Sequence, residues 1–184
     1  MQGEVVVLSG PPGAGKSTVA AALARGYERS VHLHTDDFWH SITAGSIPPY
    51  LAEAHEQNET VLRVVAMAAF GYAEGGYTVV VDGVVGPWML RHFELPLRHG
   101  RETVTHYVVL RPARHTTLAR ARARTGVDAL TDEEPILAMW DRFADLGELE
   151  RHVLDTTQHS ADQTLALVSQ GVRDGSFRLL PGRT

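Results

Sequence analysis

Cysteine is absent from this 184-residue chain. That excludes disulfides, a thiolate zinc site and a thiol nucleophile, and nothing in the composition asks for an oxidising compartment. Lysine is almost absent as well: Lys16 stands alone against sixteen arginines. A guanine-reading Asn-Lys-x-Asp element would need a second lysine, so that specificity motif is excluded. No apolar run approaches the length of a membrane span. There is no basic run, and the net charge is −5, so nucleic acid is not an expected partner. No repeat or low-complexity linker divides the chain, and the first strand begins too early to leave room for a signal peptide. With 43% apolar and 21% charged residues, the composition is that of an ordinary globular protein. The expectation is one domain over residues 1–184, cytoplasmic, monomeric or homodimeric.

What is present centres on that single lysine. Gly10-Pro11-Pro12-Gly13-Ala14-Gly15-Lys16-Ser17 fits the phosphate-loop pattern G-x-x-x-x-G-K-[ST] without departure. Glu4 to Leu8 before it reads as a buried parallel strand, and the Ala-rich stretch Ser17–Arg25 after it as a helix. Strand, glycine loop and helix are the setting the pattern requires. Backbone N–H groups at the helix start, aided by the helix dipole, bind phosphate oxygens there. Lys16 is expected to reach the β- and γ-phosphates of ATP, Ser17 to hold Mg²⁺, and Thr18 to lie beside them. A compact ammonium suits a phosphate cradle better than a planar guanidinium. The alternative is a glycine-rich turn that holds no ligand.

Further strands are predicted at Val31–His34, Thr78–Val81, Thr103–Leu110 and His152–Leu154. Helices are predicted over Leu51–Glu74, Pro87–Arg98, Pro112–Thr125, Asp132–Leu146 and Ala161–Asp174. Thr131/Glu134 and Ser160/Gln163 form capping-box patterns. Pro112 suits a first helical turn, and Gly100, Gly126, Gly147 and Gly175 sit where helices should end. Alternating strands and helices imply an α/β, three-layer fold with a five-stranded, mainly parallel sheet. Ligands then belong beyond the carboxyl ends of the strands.

Two acids, Asp36 and Asp37, follow the second strand. One can take a proton from a substrate hydroxyl and one can help hold Mg²⁺ through water; alternatively they cap a short helix from Phe38. Asp82 ends the third strand, where it can organise the metal shell or the substrate, or simply form a turn before Gly83. His32 and His34 share a strand face and read as core or surface rather than as metal ligands.

With these residues in place, the chain resembles the nucleoside-monophosphate-kinase-like small kinases, a group that includes shikimate kinase, gluconate kinase and the chloramphenicol phosphotransferases. Thr35-Asp36-Asp37-Phe38 is also similar to the kinase domain of polynucleotide kinases. The resemblance spans nearly the whole chain in layout, but the phosphate loop is its one specific motif. It implies an ATP- and Mg²⁺-dependent kinase with Asp36 as base. It departs at Trp39, where polynucleotide kinases carry an arginine, and this argues against a nucleotide 3′-phosphate there. The resemblance also implies a helical lid over about 112–147 and an adenine pocket that includes Thr157.

Within the lid, Arg120 and Arg124 are four residues apart and share a helix face, whereas Arg122 points away. Two convergent arginines over a triphosphate neutralise charge that develops during transfer; the alternative is a solvated basic face. The insertion at about 40–75, with Arg63, is expected to carry the acceptor site, and Trp39 and Trp88 make it partly aromatic. The expected acceptor is a neutral or weakly polar hydroxylated small molecule. The competing expectations are a nucleotide-dependent ATPase or switch acting on a protein partner, and a nucleotide or polynucleotide kinase.

Overall fold

The computed structural model describes residues 3–98, 103–125 and 130–180. Its strands are β1 (Glu4–Ser9), β2 (Ser30–His34), β3 (Thr78–Asp82), β4 (Val104–Leu110) and β5 (Val153–Leu154). They pair in the order β2-β3-β1-β4-β5, every pair parallel. Parallel neighbours cannot be joined by a hairpin, so each link crosses over through helix. The helices are α1 (Lys16–Arg25), α2 (Thr35–His40), α3 (His55–Glu74), α4 (Pro87–Arg98), α5 (Arg114–Arg122), α6 (Glu133–Asp141) and α7 (Ala161–Asp174). Among the described residues, no helix is long and apolar enough to cross a membrane.

The central strand shows why there are three layers. Val5 and Val7 pack with Val65 and Ala69 of α3 and Leu90 and Phe93 of α4. Val6 and Leu8 point the other way, to Val19 and Leu23 of α1 and Val168 and Val172 of α7. All four β1 residues are fully buried, and each such side chain contributes roughly 1.5–3 kcal/mol of hydrophobic stabilisation. An alternating strand would leave one face wet; this continuous run is apolar on both sides because both sides are covered.

Several local expectations are corrected. The Thr131/Glu134 box does not form: α6 starts one residue later, with Asp132 at the N-cap position and no side-chain cap. Pro135 is the reason. With Thr131 as cap, Pro135 would have to donate the first intrahelical bond, and proline has no N–H. One residue later that bond falls to Ile136, whose N–H lies 3.4 Å from Asp132 O. Gly147 does not end a helix either. The helix stops at Asp141, and the chain re-forms a 3₁₀ turn over Gly147–His152. There Asp145 accepts from Gly147 N–H (2.9 Å) and Glu150 from Leu146 N–H (2.8 Å), side-chain bonds that replace helical ones.

Pro112 lies ahead of α5, whose N-cap is Ala113; the Ala113 N–H donates to Thr157 Oγ1 (2.7 Å). The expected helix from Leu51 begins instead with a 3₁₀ turn over Ala52–Ala54, after which α3 starts at His55. Asp36 and Asp37 are not caps: α2 begins at Thr35 after His34, so both acids stand in its first turn, where the dipole favours them. The Ser160/Gln163 box forms as expected, and Gly175 closes α7 at φ 78°. The positions Gly100 and Gly126 lie outside the described residues.

Candidate active site

The loop from Gly10 to Gly15 joins β1 to α1, and its shape depends on glycine. Gly13 has φ 85°, and a Cβ there would collide with Thr117 O of α5. Gly15, at φ 89°, is the N-cap of α1, and no side chain caps that helix. The first-turn N–H groups of α1 are therefore left for an external acceptor, as a phosphate site requires. Lys16 Nζ donates to Pro11 O (3.0 Å) across the loop. Burial pushes its pKa down to about 8, against the pull of Asp82 and Asp36 and with some help from Arg124.

The loop opens onto a cavity of about 900 Å³ at the carboxyl ends of β1, β2 and β3. Asp82, fully buried as the last residue of β3, does not itself line the cavity but bonds to Ser17 and His34, which do. Register sets what it meets: β2 pairs with β3 so that His34 lies beside Asp82 and His32 two residues back on the same face. Asp82 Oδ1 is 2.5 Å from His32 Nε2. Its Oδ2 accepts from Ser17 Oγ (2.7 Å) and lies 3.1 Å from His34 Nδ1. Burial opposes ionisation of Asp82, yet these three hydrogen bonds outweigh it and hold the carboxyl well below the usual range.

His34 also faces Asp36, with Nε2 3.4 Å from Oδ2. Hydrogen bonding to Asp36, then to Asp82, raises the His34 pKa to about 10, so the imidazolium bridges two carboxylates at neutral pH. The same contact with His34 lowers the pKa of Asp36.

Ser17 Oγ and the Asp82 carboxylate form a hard oxygen pair beside an uncapped helix start and a single ammonium. That donor set fits Mg²⁺ and a nucleoside triphosphate, with Ser17 and Asp82 toward the cation and Lys16 and the α1 N–H groups toward phosphate.

The cavity lining also includes Asp36, Trp39, Trp88, Arg120 and Arg124, which the structure brings together with the loop residues Pro12, Gly13, Gly15, Lys16, Ser17 and Thr18. Gly10, Pro11 and Ala14 shape the loop from behind. Arg120 is anchored: its guanidinium donates to Thr156 O at 3.3 Å and approaches the carbonyls of Thr157 and His159 at 3.5 Å. Arg122 points away and pairs with Glu133 at 2.6 Å in solvent. Asp82 reaches the cavity only through its bonds to Ser17 and His34, and three other expected residues are not brought in at all. Arg63 is exposed on α3, Asp37 is exposed on α2, and Thr157 is turned toward Asp155 and Ala113; none lines the cavity.

Sequence reasoning missed His32 and His34 as partners of Asp82, because their meeting depends on the register of two strands far apart in the chain. It also missed Asn58, Met139 and Arg142, which line the cavity from α3, α6 and the turn after α6.

Known proteins agree with this architecture. A family model described as an AAA domain matches residues 5–146. No curated protein matches the chain in sequence at a significant level. Among solved structures, shikimate kinase from Acinetobacter baumannii in complex with shikimate is 22% identical with a TM-score of 0.66, covering 94% of each chain. A Janibacter sugar kinase is 21% identical with a TM-score of 0.65, covering 93% of this chain and 95% of its own. The Deinococcus radiodurans tunicamycin resistance protein is 16% identical with a TM-score of 0.64, covering 98% and 100%. At these identities the likeness is one of fold.

Proposed function

Because this chain belongs to the AAA domain family of P-loop proteins, we propose that it is an ATP-dependent phosphotransferase acting on the hydroxyl of a small molecule, with Asp36 as the base. The observation that carries the reading is the Asp36 carboxylate, held by His34 in the same cavity as Lys16 and Ser17, with Asp82 bonded to both His34 and Ser17. A protein that only binds or hydrolyses nucleotide needs the cradle. It does not need an oriented carboxylate in a cavity of about 900 Å³ that runs on past the cradle to Trp39, Trp88 and Met139.

ATP supplies the phosphoryl group, and Mg²⁺ neutralises charge on its phosphates. Lys16 and the α1 N–H groups donate to phosphate oxygens. Arg120 and Arg124 add positive charge at the cradle end. Asp36 would accept the hydrogen bond of the acceptor hydroxyl and take its proton as the new O–P bond forms and the bond from the γ-phosphorus to the ADP oxygen breaks, ADP being the leaving group. With its pKa lowered, Asp36 is a weak base, which suits a loose transition state in which the proton leaves late. His34 keeps that carboxylate ionised and aimed. Asp82 stays ionised through its own three hydrogen bonds and orients Ser17.

The test is ADP release from Mg·ATP with a panel of hydroxylated acceptors, followed by recovery of phosphate on the acceptor. Lys16→Ala is expected to lower the rate by at least about 10²-fold with an unchanged circular dichroism spectrum. A fully active Lys16→Ala variant, or slow hydrolysis that no acceptor stimulates, sinks the reading.

A further inference from the structure

The composition of the cavity away from the phosphate cradle bears on what kind of alcohol it takes, an inference that rests on the phosphotransferase reading above. Charge is segregated within it. Lys16, Asp36, Arg120 and Arg124 stand at the cradle end. The half built by α2, α3, α4 and α6 presents Ile42, Leu62, Trp88, Met89 and Met139, all partly or fully buried.

The less exposed polar groups of that half, Trp39 and Asn58, are bonded to the protein. Trp39 Nε1 donates to Asn58 Oδ1 (2.8 Å), and Asn58 Nδ2 donates to Pro49 O (2.8 Å), so one amide is used on both its ends. The Arg142 guanidinium lies 3.7 Å over the Trp88 ring. His40, Ser46, Tyr50 and Arg142 also line the cavity but are exposed to solvent rather than set into its inner wall.

A sugar or nucleoside carries several hydroxyl and amide groups. Each one buried without a partner loses its hydration with nothing in return. A selective site for such a ligand supplies matching donors and acceptors that converge on it, and the inner wall of this half does not. It supplies aromatic faces and two thioethers, which adapt to irregular apolar shapes.

We infer that the acceptor is an apolar-bodied alcohol, aromatic or alicyclic, whose ring system packs among Trp39, Trp88 and Met139 and whose hydroxyl is the group presented to Asp36. The methionines make the site tolerant of ring shape, so several such alcohols serve, and discrimination is against polar bodies rather than among apolar ones.

The experiment uses the full chain with Mg·ATP and two acceptor sets. One set holds 2-phenylethanol, cyclohexanemethanol and a hydroxysteroid; the other holds glucose, gluconate and adenosine. Binding is followed separately by tryptophan fluorescence in Trp140→Phe, since the Trp140 indole donates to Pro112 O away from the cavity and its removal leaves Trp39 and Trp88 as reporters. Phosphate recovered on members of the apolar set, with kcat/KM at least about tenfold above the polar set, supports the inference. A sugar or nucleoside as the better acceptor overturns it and leaves the phosphotransferase reading standing. If nothing is phosphorylated, binding decides. Saturable quenching by the apolar alcohols alone supports the apolar class while the phosphotransferase reading falls. Absence of quenching by that set overturns the inference.

Discussion

Asp36 acts through what holds it. Its carboxylate faces His34, and His34 faces Asp82, so a chain of charge-assisted hydrogen bonds runs from the candidate base to the foot of the phosphate cradle. Asp36→Asn is expected to lower turnover by about 10²–10⁴-fold while ATP affinity stays within a few-fold; near-normal turnover would take the base role away from Asp36. His34→Ala is expected to cost roughly 10–100-fold in kcat, as loss of an orienting partner does elsewhere. His34→Gln retains a donor and should recover part of that loss, whereas equal losses in the two variants would show that the hydrogen bonds are not what matters. The two acids at this end were legible in the sequence by position alone, since carboxylates at the carboxyl ends of parallel strands face the ligand crevice. Which of the adjacent pair faces the cavity was not legible from extended-strand alternation, because the chain there is already helical: α2 turns Asp36 toward the loop and leaves Asp37 in solvent.

Helix α5 shows what periodicity can and cannot say. The expected helix to Thr125 stops at Arg122, so Arg124 lies two residues past its end with its N–H on Ala121 O; Arg120 and Arg124 nonetheless both line the cavity, while Arg122 pairs with Glu133 outside it. Arg120→Ala and Arg124→Ala are therefore expected to lower the transfer rate by at least about tenfold each, and Arg122→Ala, at an exposed surface pair, by little. Steady-state kinetics of the three variants decides it, and equal effects would defeat the shared-face argument. Periodicity did not reveal that Arg120 is tied to the carbonyls of residues 156–159, since that loop lies beyond β5 and reaches α5 only in the folded chain. The ends of α6 have a different origin. A single proline sets the start, and the acids Asp145 and Glu150 take over backbone donors after the helix, so the pattern read as helical from 132 to 146 ends at Asp141 and a 3₁₀ turn follows from Gly147.

At the scale of the whole molecule, one buried imidazole beside β5 is expected to make stability depend on pH. His152 is fully buried; its Nδ1 lies 3.0 Å from Tyr107 O, and Arg151 Nε donates to its Nε2 at 3.1 Å. That arrangement suits the neutral ring, and burial, with the nearby Arg151 charge, lowers its pKa. The folded protein therefore binds fewer protons here than the unfolded chain. Stability is full above the unfolded value of about 6.5 and is lost as pH falls below it. Urea unfolding at pH 7.5 and pH 5.5 should show a smaller drop for His152→Gln than for the parent; an unchanged drop would remove His152 as the cause. The sequence by itself determined the alternation of strands and helices, the phosphate loop and the acids beyond the strands, because each depends on residues within one turn or one strand of each other. Only the tertiary structure decided that two histidines clasp Asp82, that Arg63 stays outside, and that Met139 and Arg142 complete the cavity wall. Those outcomes depend on strand register and on helices docking from distant parts of the chain. Both are settled by packing on the two faces of the sheet, which no local pattern encodes.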